Sequence, residues 1–360
     1  MQARTANFSP LPLYLAAAYT LLVIYASLHP FSGWRDTGES PAAFLFAPWP
    51  RYWTSFDLLT NLAAYLPLGF IWVPTLLPRH GAWLAVVLAS LLGVCLSLSL
   101  ETLQNFLPSR VASTVDLGCN SLGALLGALA GARWGAALLD GGRLHVLRKR
   151  LIGRGATADA GLVLVALWLL TQLNPEILLF GNGDLRSLLN EAGLQAPLPY
   201  VAEQFPWVEA GVTASNTLAL GLLVGCLLRT GKYRYLLPLA LMGLALLVKS
   251  FSLMLLKSSA GLSWATAGSL AGLLAGLLLW FAATALPRRI RQALAALSLL
   301  LATALVNLAP ENPYLTAILQ VWQQGHFLNF NGLTRLTSAL WPFLVLPWLM
   351  LLRQENTESA

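Results

Sequence analysis

Charged residues are scarce in this sequence of 360 residues: they make up 10% of the chain, whereas 57% of the residues are apolar. A water-soluble domain carries about 25% charged residues, because its surface must be hydrated. So low a charge content excludes an ordinary soluble protein with a core of this size. Lipid is the solvent that suits this composition.

Cysteine is also rare, with three residues, Cys95, Cys119 and Cys226, each inside an apolar run. No CxxC pair occurs, so we expect neither a disulfide framework nor a zinc knuckle, and no motif indicates a cofactor. The net charge of +7 is spread between apolar runs and is not gathered in a stripe or tail. We therefore expect no nucleic-acid partner.

Long apolar runs predict an all-α, polytopic membrane protein with about ten transmembrane helices, since one crossing of the bilayer takes about 20 residues. The first run is too long for a typical cleaved signal, so we expect it to be retained as a helix. The predicted helices are Leu11–Leu28, Asp57–Leu77, Ala82–Leu100, Asp116–Leu139, Ala160–Leu179, Val212–Leu228, Leu236–Leu256, Gly261–Leu286, Ala293–Leu308 and Leu333–Leu352.

The distribution of lysine and arginine predicts that both termini are cytoplasmic, because positive charge collects in cytoplasmic loops. With that orientation the inner loops hold most of the basic residues, among them Arg79, Arg143, Arg148, Lys149, Arg150, Arg154, Arg229, Lys232, Arg234, Arg288, Arg289, Arg291 and Arg353. The outer loops hold Arg35, Arg51, Arg110, Arg186, Lys257 and Arg335.

The chain also shows signs of an internal repeat. The segment that begins at Asn120 resembles the one that begins at Gly268, and the same register sets Glu101 against Lys249 and Asp116 against Trp264. We predict a parallel 4+4+2 arrangement, because copies with an even helix count keep the same orientation. The predicted parts are a four-helix unit (1–139), a basic cytoplasmic linker (140–159), a degenerate second unit (160–286) and a two-helix extension with a polar tail (287–360).

Polar residues at helical spacing mark the first four predicted helices. The pairs are Asp57 with Asn61, Glu101 with Gln104, and Asp116 with Asn120, and each pair lies on one face of its helix. The predicted topology brings all three pairs, together with His29 and Arg110, to the outer face of the membrane. Ionisable residues at membrane depth are expensive, so this convergence indicates a candidate polar pocket.

Structural roles are open for the same residues. Asp57 and Asp116 could cap helix N-termini, Asn61 and Asn120 could join helices, and Glu101 could pair with Arg110. His29 beside Pro30 could be an interfacial helix end. Lys249 is expected to snorkel outward or to pair with an acid, and the face Gly118, Gly123, Gly127 and Gly131 is expected to pack closely against another helix. Alternatively, the carboxylates and His29 could act as acid and base or hold a divalent cation.

These residues resemble the VanZ-like family over about residues 11–131. The matching segments are Leu28-His29-Pro30-Phe31, Asp57-Leu-Leu-Thr-Asn61 with Leu66-Pro67-Leu68-Gly69, Glu101-Thr-Leu-Gln104, and the segment from Arg110 through Asp116 to Asn120. The resemblance implies a bacterial inner-membrane protein. The family's founding member is associated with low-level resistance to the glycopeptide teicoplanin, and no catalytic roles carry over.

Three functions follow as hypotheses. In the first, the polar pocket faces outward and binds or modifies a cell-envelope amphiphile, such as a lipid-linked glycan precursor or a phospholipid. In the second, the chain is a transporter or flippase, although the polar residues thin out below Asn61 and Asn120. In the third, it is a non-catalytic membrane scaffold whose polar motif joins helices.

Overall fold

The computed structural model describes residues 9–36, 38, 40–46, 48, 54–140, 142–153, 155–191, 193–194, 201–229, 231–256, 260–310 and 328–358. The chain divides into two compact units, Met1–Arg150 and Leu151–Ala360. Three of the basic residues behind the predicted topology, Arg51, Arg154 and Lys257, lie outside the described residues.

The first unit is built from long helices joined by short loops. A short 3₁₀ turn, Ala43–Phe46, precedes the second helix. The helices are α1 (Leu11–Leu28), α2 (Ser55–His80), α3 (Ala82–Gln104), α4 (Thr114–Ala130), which continues as a π-helical segment (Gly131–Asp140), and α5 (Arg143–Leu151).

The second unit is also helical. Its helices are α6 (Ala156–Thr171), α7 (Arg186–Glu191), α8 (Phe205–Leu227), α9 (Leu236–Leu256), α10 (Ala267–Ala283), α11 (Arg288–Leu308) and α12 (Leu328–Glu358). Within the described ranges, β-type pairing is limited to an isolated bridge between Ile152 and Leu228.

The predicted all-helical fold is confirmed for the described residues, since each of the ten predicted segments contains a helix. In this part of the chain, 8 helices are long and apolar enough to cross a membrane. The other two apolar segments, α6 and α10, have 16 and 17 residues. The number of crossings, the parallel repeat and the cytoplasmic termini stay predictions.

The fifth predicted helix is shorter than expected, because α6 ends at Thr171 instead of Leu179. Asn174-Pro175 follows, and a residue before proline is disfavoured in helical conformation. The Thr171 hydroxyl and the Gln172 amide both donate hydrogen bonds to the Trp168 carbonyl oxygen. Side chains therefore satisfy this carbonyl at the end of the helix. The non-helical segment 172–185 that follows is largely buried within the second unit.

In the first unit, α4 packs directly on the backbone of α2. A Cβ atom added at Gly123 would clash with the Leu62 carbonyl oxygen, and one at Gly127 with the Leu66 carbonyl oxygen. Small residues at this spacing are how membrane helices approach closely. The expectation that Gly118 belongs to this face is wrong, since it is exposed and a Cβ there would meet nothing within 4 Å.

The second unit has a closely similar helix crossing. On α10, added Cβ atoms at Gly268 and Gly272 would press on the carbonyl oxygens of Pro206 and Ala210 of α8. Gly268 and Gly272 thus allow α10 to approach the backbone of α8, as Gly123 and Gly127 allow α4 to approach that of α2.

The close contact between α2 and α4 predicts that alanine substitutions at two glycines of α4 change the free energy of unfolding by different amounts. We expect Gly127→Ala to lower the free energy of unfolding by about 1–3 kcal/mol, because the new methyl group forces two helix backbones apart. Gly118→Ala is the matched control and should leave stability unchanged or slightly raised. Unfolding of the purified protein in mixed micelles measures both, and equal losses would contradict the packing.

Candidate functional site

The ends of four helices meet at one end of the first unit. The Gln104 side chain at the end of α3 donates to the Ser27 carbonyl near the end of α1, over 2.9 Å. The Asn61 side chain near the start of α2 lies close to the Asp116 carboxylate near the start of α4. Residues far apart in sequence are thus brought into one polar region.

Glu101 fixes the start of α4. Its side chain is 4% exposed, and its Oε2 atom accepts a hydrogen bond from the Ser113 backbone N–H over 2.9 Å. Ser113 is the N-cap of α4 and accepts from the N–H groups of Val115 and Asp116. A carboxylate beside a helix N-terminus meets the positive end of the helix dipole, which stabilises this acid away from water.

Arg110 holds the other side of the same loop. Its guanidinium donates to the carbonyl oxygens of Ala26 and His29 at the end of α1. Burial lowers the pKa of this guanidinium below its ordinary value, and the negative end of the α1 dipole favours a cation there. In the described residues Glu101 and Arg110 bond to backbone groups, so the expected clamp between these two side chains is not the arrangement found.

His29 contributes mainly through its backbone. It is the C-cap of α1, and its carbonyl is one of the acceptors for Arg110. Its imidazole packs near the Tyr25 ring, with the ring centroids 5.5 Å apart. The predicted site residue therefore lies in the polar region as part of the helix end that Arg110 binds.

Asn120 lies one turn deeper in a buried polar layer. It is 5% exposed, and its Nδ2 atom donates to the Ser97 hydroxyl over 2.9 Å. The buried Tyr65 hydroxyl lies close to Ser97 and to Glu101. Tyr65 was missed by the sequence interpretation, although it follows Asn61 by one helical turn on the same face of α2.

Several residues of the polar region are partly exposed, among them His29, Gln104 and Arg110. Asp57, Asn61 and Asp116 lie together at the starts of α2 and α4, and we call them the carboxylate face. All three are partly exposed. Asp57 is held by Thr54, whose hydroxyl donates to Oδ2 over 2.7 Å and accepts from the Asp57 N–H. The Asp116 carboxylate interacts electrostatically with Asp57, so two acids and one amide are gathered at this face.

The chemistry of the carboxylate face is that of a hydrogen-bond acceptor. Ionised carboxylates accept only, and they bind hydroxyl and ammonium donors strongly. Within the described ranges, no group of three or more His, Cys, Asp or Glu side chains has a geometry that could hold a metal ion.

The second unit has buried ionisable groups of its own. Lys249 is 2% exposed and donates to the carbonyl oxygens of Asn174 and Ile177 in the non-helical segment. Of the two expectations for Lys249, outward snorkelling is wrong, whereas an acid does interact with it, since the Glu176 carboxylate acts electrostatically on its ammonium group. Its hydrogen bonds supply donors to carbonyls of a helix-free segment, which need partners inside the protein. Glu209, which the sequence interpretation missed, is 3% exposed and lies at the N-terminus of α10 beside Thr266 and Ser269.

Asp184 and Arg186 form an ion pair where the non-helical segment reaches α7. The Arg186 Nε atom donates to Asp184 Oδ1 over 2.9 Å. Burial raises the pKa of the Asp184 carboxyl, but the hydrogen bonds and the charge of Arg186 together lower it by more than burial raises it. The pKa therefore lies below its ordinary value. Asp184 is therefore a fixed anion that anchors the end of the segment.

Two substitutions can separate the hydrogen bond that Glu101 accepts from the effect of its charge. We expect Glu101→Ala to cost about 1–3 kcal/mol of stability, because it leaves the Ser113 N–H buried without an acceptor. Glu101→Gln keeps an acceptor oxygen and should lose less. Hydrogen exchange at the Ser113 amide and unfolding in mixed micelles would show the difference, and equal losses would mean that the charge matters more than the bond.

Comparison with known proteins agrees with the sequence resemblance. Residues 8–134 match the sequence model of the VanZ/LLP1 family, a range that contains every residue of the polar region. Searches of curated proteins and of solved structures gave no match. Together, the family match and the apolar helices indicate a multi-pass membrane protein, whose segment 8–134 is VanZ-like.

Proposed function

We propose that the first unit binds the headgroup of a cell-envelope amphiphile at the carboxylate face. The observation that supports this proposal is that the residues of the polar motif make two different kinds of contact. Glu101, Gln104 and Arg110 bond to backbone groups of the same unit. Asp57, Asn61 and Asp116 lie together at the starts of α2 and α4, where all three are partly exposed.

The chemistry of the face favours a headgroup rich in hydroxyl or amino groups. Two neighbouring carboxylates repel a phosphate, so they favour the hydroxyl or ammonium part of a headgroup whose phosphate lies away from them. A lipid-linked glycan precursor has such a headgroup, and so does an amino phospholipid. The location we propose is the bacterial inner membrane, with the face turned outward and a role in envelope biogenesis or glycopeptide resistance.

A scaffold role is the second candidate, favoured by the number of motif side chains that bond to backbone. In that case the partly exposed face binds no ligand, and changes there affect only the stability of the unit. The transporter hypothesis would in addition need a polar path through the first unit. Leu68 and Ala124, which lie at least one turn deeper than Asn61 and Asn120, belong instead to a buried apolar cluster.

The test is a binding measurement with a fluorescent polyprenyl-linked amino-sugar glycan and the full chain in phosphatidylcholine nanodiscs. We expect Asp116→Asn to weaken binding about tenfold, as expected for losing one charge-assisted hydrogen bond of about 1.4 kcal/mol. Asp36→Asn is the matched control, because Asp36 is an exposed acid of the same unit outside the polar region.

Two results would overturn the proposal. One is unchanged binding by the Asp116→Asn variant at normal thermal stability. The other is loss of stability in that variant to the same extent as loss of binding, which would favour the scaffold. Phosphatidylglycerol in the same assay distinguishes the headgroup classes, since a phosphate site would bind it at least as well as the glycan.

A further inference from the structure

The first unit contains a cavity that the polar motif does not use. It has a volume of about 230 Å³ and lies among α1, α2 and α3. Thr20 of α1 forms one wall, Leu68 and Trp72 of α2 contribute a second, and Leu92 and Leu96 of α3 form a third. We call this cavity the α1–α3 groove.

The polar atoms of the groove are already bonded to protein. The Trp72 indole N–H donates to the Thr20 hydroxyl over 3.1 Å, and that hydroxyl donates to the Ala16 carbonyl over 2.7 Å. The Ser99 hydroxyl donates to the Cys95 carbonyl over 2.8 Å. The groove therefore offers an apolar surface, and an ion or a headgroup would find no partner in it.

The surroundings of the groove are apolar as well. All three helices are long and apolar enough to cross a membrane. On α3 the side chains of Leu92 and Cys95 that line the groove are exposed. Their exposed sides face hydrocarbon in a bilayer, where an apolar cavity does not hold water.

We propose that the α1–α3 groove holds an acyl or prenyl chain of the amphiphile whose headgroup binds the carboxylate face. This inference rests on the proposed function. Asn61 of that face and Leu68 of the groove lie on the same side of α2, about 10 Å apart along the helix axis. The stretch of α2 between them is filled by Tyr65, which is 3% exposed. A chain would therefore reach the groove along α3, where Leu103, Ser99 and Cys95 are exposed on one face.

The groove would select among lipid chains by their shape. A chain that leaves the bilayer for the groove exchanges one apolar environment for another, so it gains no hydrophobic free energy. What it gains is close packing against fixed side chains, which depends on the width of the cavity. Filling the groove should therefore remove chain binding without changing the headgroup contacts.

The experiment uses the thiol of Cys95, which lines the groove and is exposed. Cys119→Ser and Cys226→Ala leave it as the single cysteine. The full chain in phosphatidylcholine vesicles is treated with N-ethylmaleimide or N-dodecylmaleimide, and the ratio of the dodecyl rate to the ethyl rate is measured. The control carries Leu91→Cys and Cys95→Ser, which moves the thiol one turn along α3 to a residue that is 52% exposed and does not line the groove.

We expect the rate ratio at position 95 to exceed that at position 91 about tenfold, because the dodecyl chain binds in the groove before its maleimide reacts. Leu96→Trp, which fills the groove, should reduce the ratio at position 95 to that of the control. Ser99→Leu, at an exposed lining residue one turn from Cys95, fills it instead and serves if Leu96→Trp fails to fold. Equal ratios at both positions, or an excess that survives filling, would overturn the inference.

The two proposals fail in distinguishable ways. The dodecyl reagent has no headgroup, so Asp116→Asn should leave the ratio at Cys95 unchanged. If glycan binding is insensitive to Asp116→Asn while the excess at Cys95 persists, the headgroup site is wrong. If glycan binding depends on Asp116 but no excess is found at Cys95, the acyl groove alone is wrong.

Discussion

The end of the first unit depends on one constraint: helix-end N–H and C=O groups near lipid need partners supplied by the protein itself. Glu101 supplies the acceptor for the start of α4, and Gln104 and Arg110 supply donors for the end of α1. The charges of Glu101 and Arg110 also match the helix dipoles that they face. The same bonds hold the loop between α3 and α4, so the carboxylate face is built on a fixed frame.

A similar solution occurs in the second unit with different residues. Lys249 donates to two carbonyls of the segment that follows α6, and Glu209 lies at the start of α10. The crossing of α8 and α10 uses glycines against backbone carbonyls, as does that of α2 and α4. The second unit thus closes its helix ends by similar contacts, although the Asp-x-x-x-Asn pairs of the first unit do not occur in its sequence.

The first unit then offers two surfaces of opposite character. The carboxylate face is partly exposed and accepts hydrogen bonds, whereas the α1–α3 groove is apolar and its polar atoms are already bonded. Leu68, which lines the groove, also belongs to the buried apolar cluster of the unit. An amphiphile matches these two surfaces, because its headgroup and its chain need different surroundings.

The sequence by itself determined the helical membrane class and the location of the polar motif, because long apolar runs and residues at helical spacing are local signals. It also identified Asp57, Glu101 and Asp116 as unusual. The tertiary structure decided their separate roles, since Glu101 meets Ser113 and Asn61 meets Asp116 only after four helices have packed. The burial of Lys249 and the α1–α3 groove likewise arise from contacts between distant segments, which no local pattern encodes.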